Sequence, residues 1–135
     1  MFGKNAKVEL LKRVPLFAQC SKSDLAHIAQ IADEIGFPAG RMLIEEGKPG
    51  REFFVLVDGT VEIRRRGRKL PQRVDSNYFG EIALLTGKPR NATVTTTSPV
   101  RTLVITDRAF KRLVQDVPSL APKLLANLAS RLPQD

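Results

Sequence analysis

Three textures follow one another along this chain. Over residues 8–33 the apolar positions recur at helical spacing, with Leu25, Ile28, Ala29 and Ala32 on one stripe that continues to Ile35. Ser23 stands where a cap for this helix is expected, with Ser21 as its competitor. Pro15 separates it from a shorter helix, Val8–Val14. From residue 34 to about 106 the apolar runs shorten. They are rich in Val, Ile, Phe and Thr, and Gly or Pro interrupts them every eight to twelve residues. The predicted strands are Glu34–Phe37, Met42–Glu45, Glu52–Asp58, Thr60–Arg66, Lys69–Val74, Ala92–Thr97 and Val100–Thr106. Asp58-Gly59 carries a hairpin signal between two of them. So many short strands point to a small sandwich, jelly roll or barrel. After Thr106-Asp107 the period turns helical again. Ala109, Phe110, Leu113, Val114 and Val117 share a face, and Pro118 interrupts. A last helix carries Leu120, Leu124, Leu125, Leu128 and Leu132 on one stripe, with Pro122 in its first turn.

One domain spanning residues 1–135 is expected: N-terminal helices over about 8–33, a β body over 34–106 and C-terminal helices over 107–132. A single break interrupts the β body. Glu81-Ile82-Ala83-Leu84-Leu85 has good helix formers and lies between the turn residues Gly80 and Gly87. One helical turn inside a β fold is too short to build with, so it calls for a functional reason.

Composition narrows the chemistry. One cysteine, Cys20, rules out an intramolecular disulfide, and one histidine, His27, leaves no Cys/His zinc set within the chain. No stretch approaches the roughly 18–20 apolar residues of a membrane span, and the N-terminus lacks the apolar core of a signal peptide. The cytoplasm is the expected compartment. The net charge is +8, much of it from Arg64, Arg65, Arg66, Arg68 and Lys69. These residues surround Gly67 at what reads as a hairpin tip. They are expected to be solvated, with contact to an acidic partner, anionic lipid or nucleic acid as the alternative. No aromatic residue interleaves them, as a platform for single strands would need. Neither a P-loop nor paired-carboxylate spacing is present, so no catalysis is expected. His27 and Cys20 are expected to be structural and inert.

The segment 79–92 suits a phosphate ester. Unpaired backbone N–H groups at a helix N-terminus attract anions, and Gly80 leaves room for close approach. Arg90 presents a planar fork matched to two phosphate oxygens. Glu81 can accept from a sugar hydroxyl, and Ala92 is small enough to bring a strand amide near the phosphate. Taken singly, these are also ordinary cap, turn and loop residues. Their joint placement inside a β body is what points to a site.

Two motifs carry a family resemblance. The first is Leu43-Ile44-Glu45-Glu46-Gly47-Lys48-Pro49-Gly50, followed by Phe53-Phe54-Val55-Leu56 and Gly59. The second is Phe79-Gly80-Glu81-Ile82-Ala83-Leu84-Leu85, then, after four intervening residues, Arg90-Asn91-Ala92-Thr93-Val94. Over about residues 14–132 the chain resembles the cyclic nucleotide-binding domain family of catabolite activator proteins, kinase regulatory subunits and nucleotide-gated channels.

The resemblance implies a mainly β fold with flanking helices. That fold is a jelly-roll-like β-roll with N-terminal helices, a short phosphate-binding helix and two C-terminal helices. It implies that Gly80 and Glu81 meet the ribose and that Arg90 pairs with the cyclic phosphate. The amides of Ile82, Ala83, Asn91 and Ala92 would donate to the ribose-phosphate. It further implies that Leu124, Leu125 and Leu128 form a lid over the base. Asn91 departs from the family pattern, which usually has Ser, Thr, Ala or Gln there. The expected ligand is cAMP, with cGMP as the alternative, and neither cofactor nor metal is expected. No DNA-binding motif is recognised, so the effector is expected outside this chain. The competing readings are an interaction module of the same fold that binds no nucleotide, and a fragment of a transcription regulator or channel.

Overall fold

Among the described residues the short apolar runs of the middle segment resolve into eight strands arranged as two antiparallel four-stranded sheets. A computed structural model describes residues 3–70, 78–80 and 87–131, and the statements below concern those residues. The strands are β1 (Asp33–Phe37), β2 (Met42–Ile44), β3 (Glu52–Asp58), β4 (Val61–Arg65), β5 (Arg68–Leu70), β6 (Tyr78–Phe79), β7 (Thr93–Thr96) and β8 (Val100–Thr106). One sheet runs β1-β8-β3-β6 and the other β2-β7-β4-β5. The chain therefore changes sheet at every connection except β4–β5. This is the mainly β roll that was expected, and strands β3 and β8 have the predicted ends. β6 is a two-residue strand that the sequence pattern did not reveal.

The core lies between the two sheets. Phe54, Leu56, Phe79, Val100 and Val104 from one meet Ile44, Val61 and Val94 from the other. Phe37, Leu43 and Ile63 close its margins. Residues 53–56 and 102–105 are buried without interruption. β3 and β8 therefore read as apolar runs rather than as alternating strands. Two buried threonines sit in this interior with their hydroxyls satisfied. Thr96 Oγ1 donates to Pro38 O (2.7 Å) and accepts from Arg41 N–H (2.8 Å). Thr102 Oγ1 donates to Ile35 O (2.8 Å).

Asp58-Gly59 is not a hairpin. β3 bonds to β6 and β8, and β4 bonds to β5 and β7, so this turn carries the chain from one sheet to the other. Its glycine is demanded by the neighbouring corner. Gly59 has φ +101°, and a Cβ there would meet Pro99 O at 2.5 Å and Val100 Cγ1 at 2.7 Å. The two corners are also tied by Thr60 N–H to Ser98 Oγ (3.0 Å) and Thr97 N–H to Thr60 O (3.0 Å).

The true hairpin is β4–β5. Its central residues Arg66 (φ 53°) and Gly67 (φ 79°) both lie in the left-handed region, as a two-residue type I′ turn requires. The expected strand Lys69–Val74 begins one residue early, at Arg68, and is described as far as Leu70. Its remaining residues, like the expected turn at Glu81–Leu85, lie outside the described residues.

Residues up to Ala32 and those from Arg108 onward form a second compact unit, separate from Asp33–Asp107. It contains α1 (Lys4–Lys12), a 3₁₀ turn (Pro15–Phe17), α2 (Lys22–Ile31) and α4 (Leu120–Arg131). Helix α3 (Asp107–Asp116) begins at the boundary between the units. Ser21, not Ser23, caps α2. Its Oγ accepts from Asp24 N–H (3.0 Å), and Asp24 Oδ2 accepts from Ser21 N–H (3.1 Å). This capping box needs an acidic residue three positions after the serine, which Ser21 has and Ser23 lacks. Buried Asp24 also accepts from Lys123 Nζ of α4 at 2.7 Å. That bond, aided by those from Ser21 and opposed by burial, holds the Asp24 carboxyl below the usual aspartate range. Burial, with the Asp24 charge adding to it, pushes the nearby Cys20 thiol up to about 11, in keeping with an inert residue. His27 is exposed on α2.

Two outcomes follow. An arginine at a left-handed position costs about 1 kcal/mol that asparagine largely avoids. Arg66→Asn should therefore raise the urea midpoint, and a lower midpoint would contradict the turn assignment. A carboxyl whose pKa is depressed on folding stabilises above its unfolded value of about 3.9, and that contribution is lost as pH falls through the folded value. Asp24→Asn should be less stable than wild type near pH 6, and its stability should fall less steeply below about pH 4. Denaturant unfolding across that range measures both.

Candidate functional site

Arg90 leads into β7 through Asn91 and Ala92, and its position is fixed at both main-chain atoms. Its N–H donates to Lys48 O and its carbonyl accepts from Gly47 N–H, each at 2.9 Å. The turn between β2 and β3 is thus bonded to Arg90 at both its main-chain atoms, as in one pair of an antiparallel ladder. Glu46 N–H to Thr93 Oγ1 (3.0 Å) continues the brace. Gly47 (φ +87°) lets the turn bend back far enough to make these bonds.

The side chain of Arg90 is directed inward and is 6% exposed. This differs from the solvated loop cation that a residue following proline suggests. Nη2 donates to Glu52 O at 2.6 Å and Nη1 to Gly80 O at 3.0 Å. The guanidinium plane is therefore set by two carbonyls, one at the start of β3 and one just after β6. A bidentate donor oriented by backbone in this way is suited to a planar or tetrahedral oxyanion.

Gly80 has a more definite reason to be glycine than room for a ligand. Its φ is +98°, and a Cβ there would stand 2.5 Å from Arg90 Nη1 and 2.8 Å from Glu52 O. The glycine makes space for the arginine. Of the other expected site residues, Asn91 is exposed and Ala92 half-buried at the entrance to β7. Glu81, Ile82 and Ala83 lie outside the described residues. The expected lid residues Leu124, Leu125 and Leu128 are on α4, where Leu125 is 59% exposed. Among the described residues no cluster of His, Cys, Asp or Glu could hold a metal ion, and no helix is long and apolar enough to cross a membrane.

Residues that sequence reasoning did not assign to the site are Gly47, Lys48 and Glu52. All three act through backbone atoms, so their side-chain types gave no signal; only the glycine at 47 marked an unusual turn.

Gly80→Ala tests this arrangement. The added methyl must displace the guanidinium or strain a left-handed residue, at a cost of about 2 kcal/mol or more. The variant should melt lower than wild type, and an unchanged melting temperature would contradict the packing of Arg90 against Gly80.

Comparison with known proteins adds the family. Residues 34–117 match the model of the cyclic nucleotide-binding domain. Over 112 residues the chain is 38% identical to a cAMP-dependent protein kinase regulatory subunit of Emericella nidulans, covering 82% of this chain and 27% of that protein. Over 129 residues it is 31% identical to a CRP-like cAMP-activated global transcriptional regulator of Mycobacterium tuberculosis, covering 92% of this chain and 58% of that one. The chain thus spans about a quarter to three-fifths of these relatives. Among solved structures, the N-terminal domain of a transcriptional regulator from Streptomyces coelicolor superposes with a TM-score of 0.77 at 29% identity, covering 91% of this chain and 89% of that one. The matched span contains the Gly47 turn, Gly80, Arg90 and, except for Asp33, both sheets, and the chain belongs to the cyclic nucleotide-binding domain family.

Proposed function

We propose that this chain is a sensor for a cyclic nucleotide, with cAMP as its ligand, and that its role is binding rather than catalysis. The observation that carries this is Arg90, a buried guanidinium aimed by the carbonyls of Glu52 and Gly80 within the span matched by the family. Arg90 takes the exocyclic oxygens of the cyclic phosphate. Glu81 accepts from the ribose 2′-hydroxyl, beside the backbone of Gly80. The amides of Ile82, Ala83, Asn91 and Ala92 donate to the ribose-phosphate. The relatives named for cAMP support the choice of base, and Asn91 is the position at which cGMP would be discriminated.

The two compact units act as one domain in this reading. Ligand binding shifts the C-terminal helices, with Leu124, Leu125 and Leu128 of α4 covering the base. Such a shift needs the ligand to contact the closed arrangement better than the open one. The output then passes to an effector outside this chain, in the cytoplasm.

Calorimetry with cAMP and cGMP on wild type, Arg90→Ala and Arg90→Lys tests the assignment. Charge-assisted hydrogen bonds are worth about 1.5–3 kcal/mol each. Losing two of them should weaken cAMP binding at least on the order of a hundredfold. Lysine keeps the charge but not the fork and should fall between wild type and alanine. Arg90 also supports the fold, so the melting temperature without ligand is recorded alongside. A folded Arg90→Ala protein that binds cAMP as tightly as wild type would sink the assignment.

A further inference from the structure

The β4–β5 hairpin carries five cations in six residues, and its register sets four of them directly across from one another. Arg65 stands opposite Arg68 and Arg64 opposite Lys69 in the antiparallel register. Directly opposed side chains have Cβ atoms about 4.5–5.5 Å apart, and like charges at that distance destabilise a sheet. The tip adds a second cost. Arg66 occupies a left-handed position (φ 53°) where asparagine, aspartate or glycine would be easier to accommodate. The hairpin is nonetheless held firmly. Arg66 N–H donates to Glu46 Oε1 at 3.0 Å, and Arg64 pairs with Glu62 while donating from Nη1 to Gly67 O at 3.1 Å. Arg66, Arg68 and Lys69 are exposed, and among the described residues their side chains make no hydrogen bond or ion pair.

Alternation along the strands places these cations on both faces of the ribbon. Arg64 and Lys69 share one face, Arg65 and Arg68 share the other, and Arg66 sits at the end. A flat partner meets only one face of such a ribbon. A groove walled by anions meets both faces and the tip together. The major groove of a nucleic-acid duplex admits a two-stranded β-ribbon and has phosphates along either wall. The segment from Arg64 to Lys69 contains no apolar or aromatic side chain. It therefore lacks the buried apolar area of a membrane anchor and the stacking surface of a single-strand platform. The chain's net charge of +8 favours approach to any polyanion.

We propose that the β4–β5 hairpin is a docking element for duplex nucleic acid, entering a groove and engaging phosphates through Arg66, Arg68 and Lys69. Binding is set by phosphate contacts and is therefore independent of base sequence. It does not depend on the cyclic nucleotide reading, since the residues are distinct and no ligand is needed for the contact.

The test is fluorescence anisotropy with a labelled mixed-sequence DNA duplex of about 20 base pairs, titrated across salt concentrations. Contact with three phosphates predicts a fall in affinity of about 40-fold between 50 and 200 mM salt. The triple variant Arg66→Asn, Arg68→Gln, Lys69→Gln should lose about 2.7 from the slope of log affinity against log salt. Its melting temperature should equal or exceed that of wild type, which shows that the fold is retained. Poly-glutamate and vesicles containing phosphatidylserine are run in parallel. The proposal is overturned if wild type fails to bind the duplex at 50 mM salt, or if the folded variant keeps the wild-type slope. It is equally overturned if poly-glutamate or the vesicles bind as tightly as the duplex, which would make the hairpin a site for acidic protein or lipid.

Discussion

A buried guanidinium is the constraint around which this β-roll is arranged. Taking an arginine out of water is costly unless its donors are matched and its geometry is fixed. Here the matching comes from main-chain oxygens: Glu52 at the beginning of β3 and Gly80 just beyond β6. The backbone of Arg90 is clamped in turn by Gly47 and Lys48. The pairing of β3 with β6 brings those two carbonyls together, and Arg90 joins the β2–β3 turn and the approach to β7 to them. Gly80 then has to be glycine on two grounds, its left-handed φ and the atoms that crowd its missing Cβ.

This helps explain what the residues disclosed and what they concealed. β3 and β8 were legible to their ends because apolar β-branched and aromatic runs bounded by polar turns have few other readings. The joint pattern of Gly80, Glu81 and Arg90 raises the expectation of a phosphate site because each residue type has a recognisable use there, and the structure brings Gly80 and Arg90 together. Burial of Arg90 was not legible, since its described side-chain partners are carbonyls, which every residue has. Asp58-Gly59 was read as a hairpin because turn chemistry is local. Whether the next strand joins the same sheet or the opposite one is decided by packing between the sheets. Ser21 and Ser23 were separable in principle, because only Ser21 has an acid three residues on, in Asp24. Tyr78-Phe79 is too short to show a period at all.

The second unit is stitched by polar contacts of a different kind. Asp24 serves its own helix as half of a capping box and reaches α4 through Lys123, 99 residues away. One carboxylate thereby links the beginning and the end of the chain. In a domain whose proposed output is movement of its last helices, such a tether contributes to the energy of any rearrangement of α4.

The crossing pattern of the strands has a consequence for how the site comes into being. Nearly every connection passes between sheets, and the bonds that aim Arg90 span 38 residues on one side and 10 on the other. Contacts so distant in sequence are made late and slowly, since chain closure must be achieved before they reward it. The aimed guanidinium thus has no counterpart in a half-formed chain. A ligand that recognises it can select only completed molecules and, by mass action, draw the population toward them. The metabolite that such a sensor reports would then also govern how much competent sensor a cell holds.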